Sequence, residues 1–150
     1  MIGLLQRVTH AQVAVEETVI AEIGRGALAL IGVETGDGAR EADRLLERML
    51  GYRIFPDREG RMNLSLRDVT GGLLLVPQFT LAADTGKGTR PSFSGAAAPE
   101  AGRALFDHLV AAARAVLPHV SCGRFGADMK VTLTNDGPVT FWLRVPPGNA

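Results

Sequence analysis

Short runs of Val, Ile and Leu recur through the first third of the chain, at residues 2–8, 12–16, 19–23 and 27–33, with turn residues between them. Aliphatic runs of this length between such breaks read as antiparallel strands, so the chain opens as a β-meander. Glu16-Glu17 and Gly24-Arg25-Gly26 supply the expected turns, and His10 falls in another. Run 27–33 is apolar almost throughout, the pattern of a central strand covered on both faces. Gln6 and Arg7 interrupt the first run. An arginine in such a place either faces outward or is a buried fork that holds carbonyl groups.

The period then lengthens. Ala42, Leu45, Leu46, Met49 and Leu50 form one apolar stripe at helical spacing, with Asp37 as the expected N-cap and Gly51 as the end. Residues 52–55 read as a short strand and residues 56–60 as a turn. The alternation of Met62, Leu64 and Leu66 with Asn63 and Ser65 suits a half-buried edge strand. Gly71-Gly72 breaks the chain, and residues 73–81 start as a buried strand interrupted by Pro77. Proline cannot donate to a ladder, which places it at an edge or bulge. The N–H groups after it are either free to bind an oxyanion or simply mark where the strand ends.

Residues 82–99 show no period and form a long irregular loop carrying Lys87 and Arg90, two phosphate-binding candidates. Pro99 opens a second helix to about residue 117, with Leu105, Phe106, Leu109, Val110 and Ala113 toward the core. Residues 128–134 and 139–145 are the last two strands, and 146–150 form a frayed tail. Strands and helices without βαβ alternation give a single α+β domain over residues 1–145.

Between the last two strands lies Asn135-Asp136-Gly137-Pro138-Val139-Thr140. An X-Pro bond can be cis or trans, and Gly-Pro can aim its carbonyls where an ordinary hairpin cannot. Two readings stand: carbonyls presented to a ligand, or an Asp-Gly reverse turn in which proline opens the next strand.

Composition narrows the function classes. At 150 residues, 46% hydrophobic and with a mean hydropathy of +0.12, the chain suits one domain with a true core. No apolar run is long enough to span a bilayer and no signal-peptide order appears at the start, so a cytoplasmic protein without a membrane partner is expected. Cys122 is the only cysteine, which excludes an internal disulfide. Sixteen basic residues against sixteen acidic ones argue against charge-driven wrapping of DNA or RNA, though not against reading one RNA end. His10, His108 and His119 have no partners at ligand or triad spacing, so no metal and no cofactor are expected, and no nucleotide-cofactor motif occurs.

Gln78-Phe79-Thr80-Leu81 and Asn135-Asp136-Gly137-Pro138-Val139-Thr140 together resemble the paired motifs of the D-aminoacyl-tRNA deacylases. The resemblance extends through Gln6-Arg7-Val8, Gly51-Tyr52-Arg53-Ile54-Phe55, Arg90-Pro91-Ser92-Phe93-Ser94 and Gly123-Arg124-Phe125. It implies a homodimer with a mostly antiparallel, β-barrel-like sheet core and two main flanking helices, acting on D-aminoacyl-tRNA and glycyl-tRNA. It implies that the N–H groups of Phe79 and Thr80 hold the ester carbonyl, that Gln78 helps to position it, and that Phe125 and Met129 flank the terminal adenine. Gly137 and Pro138, joined by a cis peptide, would reject L-aminoacyl groups from the partner subunit, Val139 and Thr140 would be substrate-binding beside them, and Arg7 would brace that loop. Pro77 stands where the family usually has serine, so no serine nucleophile is available there. Three rivals remain: a related deacylase with a trans Gly-Pro that clears an L-amino acid, a silent tRNA-end- or nucleotide-binding dimer, and a purely structural dimer.

Overall fold

The computed structural model describes residues 1–148. Its first strand, β1 (Ile2–Val15), is continuous, where the pattern suggested two runs with His10 in a turn. The reason is a change of neighbour. Residues 2–8 pair antiparallel with β3 (Gly26–Gly32), and residues 11–15 pair antiparallel with β2 (Thr18–Ile23). The polar break at Thr9-His10 marks the handover from one neighbour to the other and not a reversal of the chain.

The opposite edge of β1 is covered along both halves by β8 (Lys130–Arg144), again antiparallel. The two final runs are therefore one strand. His10 pairs with Thr134, Val8 with Asn135 and Gln6 with Thr140, so the direction is kept while the residues between swell out of the ladder. This rules out the Asp-Gly reverse turn: the excursion is an extended bulge, with residues 136–139 opposite Arg7 alone.

The remainder of the sheet is parallel. β6 (Gly72–Pro77) adds to β3, and β7 (Val120–Cys122) adds to β6. β7 has three residues between Pro118 and Gly123, too few to show a period, and the sequence reading missed it. The far end of the sheet curls back on its beginning, where the Ser121 hydroxyl donates to the Glu22 carbonyl at 3.3 Å. The result is a nearly closed, barrel-like sheet.

The helix α1 (Ala39–Gly51) is capped at Gly38, not at Asp37. Asp37 is engaged elsewhere: its carboxylate accepts from the Met1 ammonium at 2.8 Å and from the Glu34 N–H at 2.7 Å. β4 (Phe55–Pro56) and β5 (Met62–Leu64) form a small separate hairpin, so the expected strand at 52–55 reduces to its last residue. Leu66 belongs to α2 (Leu66–Val69) and not to an edge strand, because Ser65 and Asp68 close a reciprocal capping box ahead of it. Past Pro77 the chain tightens into a 3₁₀ turn at Phe79–Ala82. Residues 83–98 are irregular apart from single bridges between Asp84 and Ser92 and between Glu34 and Ala96. The last helix, α3, is Pro99–Val116. Residues 146–148 are held rather than frayed, with the Gly148 N–H donating to Glu41 Oε1 at 3.2 Å; residues 149–150 lie outside the described residues.

Two apolar clusters sit on opposite faces of the central strands. Leu5, Ala29, Ile31, Leu73 and Leu75 face α1 and α3, while Val8, Leu28, Leu74 and Val76 face the barrel interior. Both sets are at most a few per cent exposed, which explains why β3 and β6 read as unbroken apolar runs. Among the described residues no helix is long and apolar enough to cross a membrane.

Candidate active site

Parallel strands place their C-terminal ends on one side of a sheet, and the crevice beyond those ends is where open α/β sheets bind ligands. Here β3 ends at Gly32 and β6 at Pro77, and β7 stops at Cys122, leaving the end of β6 with no strand paired to it on that side. The Gln78 N–H donates to the Ile31 carbonyl at 2.7 Å, so the preceding nitrogen, that of Pro77, faces the side that β7 has vacated. A residue with no N–H leaves nothing unpaired there. The opening becomes a cleft of about 450 Å³, walled by Ile31, Val76, Pro77, Phe106, Phe125 and Met129 and reaching Gln78 and Phe79.

The 3₁₀ turn sets the polar end of this cleft. Leu81 and Ala83 donate back to the carbonyls of Gln78 and Thr80, whereas the N–H groups of Phe79 and Thr80 come too early in the turn to find a carbonyl. Among the described residues these two adjacent donors have no partner, and donors so placed beside an apolar cleft can polarise a carbonyl oxygen. The Gln78 side-chain amide donates to the Thr80 hydroxyl, fixing both side chains over the turn. Phe79 is exposed and lies 5.1 Å, ring centre to ring centre, from Phe93 of the long loop.

At the apolar end, Phe125 is packed by Arg103, whose guanidinium sits 4.9 Å from the ring centroid. Gly123 lies beneath Met129: a Cβ there would be 2.8 Å from the Met129 sulfur and 3.3 Å from Pro77 Cδ. Glycine is what lets Met129 and Phe125 stand as opposing walls. Neither Arg103 nor Gly123 was singled out for a role in the sequence reading, since their contacts cross elements distant along the chain.

The bulge of β8 is built separately. Arg7, mostly buried, donates from Nε to the Asp136 carbonyl at 3.0 Å and from Nη1 to the Ile54 carbonyl at 2.7 Å. Asn135 accepts from the Val139 N–H at 3.0 Å and donates to the Thr140 hydroxyl at 2.8 Å, pinching the base of the bulge shut. Gly137 has φ +134, and the Gly137–Pro138 peptide is cis, an isomer that sequence cannot specify. A Cβ on Gly137 would lie 2.6 Å from Val139 Cγ2 and 3.1 Å from Arg7 Nη2. Gly137 and Pro138 point outward and are exposed.

The site residues therefore fall into two groups. Gln78, Phe79, Phe125 and Met129 line the cleft, with Thr80 beside it. Arg7, Gly137, Pro138, Val139 and Thr140 are together in the bulge and do not line their own cleft. Val131 is the cleft-lining residue of β8, and Gly137 is six residues further on, roughly 15–20 Å at ~3.3 Å per residue. The histidines are remote: His108 meets Asp43 at 2.7 Å, His10 meets Glu22 at 3.5 Å, and His119 lies ahead of β7. Among the described residues no cluster of His, Cys, Asp and Glu could hold a metal ion.

Fold and cleft together define a class: an α+β protein whose cleft has apolar walls, Phe125 and Met129 among them, at one end and the backbone N–H groups of a tight turn at the other. The profile of the D-Tyr-tRNA(Tyr) deacylase family matches residues 4–144, and the chain belongs to that family. It is 62% identical over 147 residues to the D-aminoacyl-tRNA deacylase of Nitrosococcus oceani, covering 98% of this chain and 95% of that one. With the D-aminoacyl-tRNA deacylase of Alkalilimnicola ehrlichii the identity is 61% over 150 residues, all of both chains. Among solved structures, one described as c-Myc DNA unwinding element binding protein superposes with a TM-score of 0.93 at 34% identity, over 97% of this chain and 99% of that one. A probable eukaryotic D-amino acid tRNA deacylase shares the fold, with a TM-score of 0.83 at 19% identity over 96% and 98% of the two chains.

Proposed function

We propose that this protein hydrolyses the ester between a D-amino acid, or glycine, and the terminal adenosine of tRNA, acting in the cytoplasm as a homodimer. The observation that carries the reading is the cleft itself, whose lining joins Phe125 and Met129, a slot for a base, to Gln78 and Phe79, where the N–H groups of Phe79 and Thr80 have no hydrogen-bond partner among the described residues. Water attacks the ester carbonyl, and the oxygen takes the developing charge against those two donors. The tetrahedral intermediate then collapses and expels the ribose oxygen, which leaves protonated. The substrate's own neighbouring hydroxyl relays that proton, since none of the chain's histidines lines the cleft.

Selection against L-substrates follows from exclusion. Gly137 and Pro138 stand outside their own cleft, exposed, on a bulge stiffened by Arg7 and Asn135. Set into the cleft of a partner subunit, their carbonyls face the Cα of the aminoacyl group, where a D-residue or glycine presents hydrogen and an L-residue presents its side chain. Nothing grips the D-side chain, so many are accepted. The balanced net charge gives no support to duplex-wide DNA binding.

The test is single-turnover release of amino acid from D-Tyr-tRNA, L-Tyr-tRNA and Gly-tRNA. Rapid loss of the first and third with the second spared is expected. Rapid cleavage of L-Tyr-tRNA would remove the exclusion mechanism, and tRNA binding without any cleavage would make the protein a binding module.

A further inference from the structure

Behind Phe125 lies a second cleft, of about 470 Å³, that shares Phe106 and Phe125 with the first. Arg103 and Arg114 from α3 and Arg124 from the turn after β7 reach it, against the single carboxylate of Asp107. In a chain of zero net charge this is a local excess of cations. Among the described residues none of the three arginines is in an ion pair. Two of them are nevertheless held in place: Arg103 is stacked on Phe125, and Arg114 Nη2 donates to Cys122 Sγ at 3.7 Å. All three are solvent-exposed, which suits a planar fork that must meet phosphate oxygens.

We propose that this groove binds the backbone phosphates of the single-stranded RNA immediately 5′ of the terminal adenosine, an inference that rests on the deacylase reading above. Continuity is the argument. One aromatic ring, Phe125, forms the end wall of the base slot on one side and the floor of the arginine groove on the other. A strand whose last base is in the slot brings its preceding phosphates to the cations behind that ring. Contacts of this kind read backbone and not sequence, so they supply affinity for any tRNA without choosing among amino acids.

The experiment compares wild type with the Arg114→Gln/Arg124→Gln double variant, which leaves Arg103 and the base slot untouched. Two substrates are used: D-Tyr-tRNA, and D-tyrosyl adenosine, which has no phosphate. The variant is expected to lose about tenfold in kcat/KM on tRNA, the scale of two solvent-exposed ion contacts, with kcat unchanged and with the nucleoside ester cleaved as by wild type. Its salt dependence is expected to be shallower by about 1.4 in log kcat/KM against log salt, from two phosphate contacts at about 0.7 each. Lysine at both positions restores most of the loss. Equal losses on both substrates, or no loss on either, overturns the proposal. If wild type cleaves neither ester, the deacylase reading has failed, and fluorescence anisotropy with a labelled oligonucleotide ending in CCA decides the groove. Weaker binding by the variant upholds it, and equal binding overturns it.

Discussion

Thr80 and Gly137 test different halves of the proposed chemistry. The Thr80 side chain only accepts from Gln78, whereas its backbone N–H survives any substitution but proline. Thr80→Ala is therefore expected to keep most single-turnover activity on D-Tyr-tRNA; near-complete loss would make the hydroxyl itself the nucleophile. Gly137 leaves no such latitude. Its φ of +134 and the 2.6 Å approach to Val139 mean that Gly137→Val must distort the bulge. Activity is expected to fall by at least about a hundredfold, the scale for misplacing a positioning group by about 1 Å. The fold should remain, since the bulge is at the surface, and circular dichroism would show it unchanged. For Arg7, mutation to Ala releases the carbonyls of Asp136 and Ile54 together, and is expected to lower activity and thermal stability at once.

The elements show what a sequence can and cannot carry. α1, α3, β3 and β6 are legible because their apolar spacing states which faces are covered. β6 makes a direct check: Leu75 is fully buried against the helices, and Leu75→Ala is expected to cost about 2–5 kcal/mol in urea unfolding. What was illegible depended on neighbours. β1 looked broken because its partner changes at Thr9-His10, and β8 looked like a hairpin because four successive turn formers, Asn135 to Pro138, sit in its middle. β7 has three residues and owes its existence to β6. The capping box of α2, Ser65-x-x-Asp68, was available in the sequence but was overridden there by the alternation that precedes it. For the site, Gln78, Phe79, Thr80 and Gly137-Pro138 were found through motifs. The buttress of Arg103 on Phe125 was not, because cation and ring are more than twenty positions apart.

At the scale of the whole molecule, charge enters through a few carboxylates that the fold has tied down. Asn63, and then the N–H groups of Arg61 and Glu59, hold Asp57 below the usual range; the Ser65 N–H does the same for Asp68 and the Gly38 N–H for Glu41. Burial pushes Glu34 up, but Arg144 and the Met1 ammonium outweigh it and bring it down. A lowered carboxylate contributes stability that is complete above its ordinary value, 4.5 for Glu and 3.8 for Asp, and is lost as pH falls through the folded value. Asp37 runs the other way, since burial raises it despite the ammonium beside it, so its protonation on acidification favours the fold. Four against one predicts a melting temperature that is level near neutrality and declines below about pH 4.5, with a flatter profile for Asp57→Asn. Scanning calorimetry from pH 7 to 3 reads both.

The bulge of β8 has a further effect on how copies of the chain meet. β8 pairs with β1 alone among the described residues, so its outer edge is a long row of open backbone groups, the kind of edge that recruits foreign strands into aggregates. The swelling between Asn135 and Thr140 cuts that row into two short lengths out of line with each other, and Pro138 removes a donor at the cut. A stray strand can dock on one length but cannot run on to the next. The residues proposed to turn away L-amino acids thus also turn away β-polymerisation, and a variant that straightened the strand would be expected to precipitate before it lost its fold.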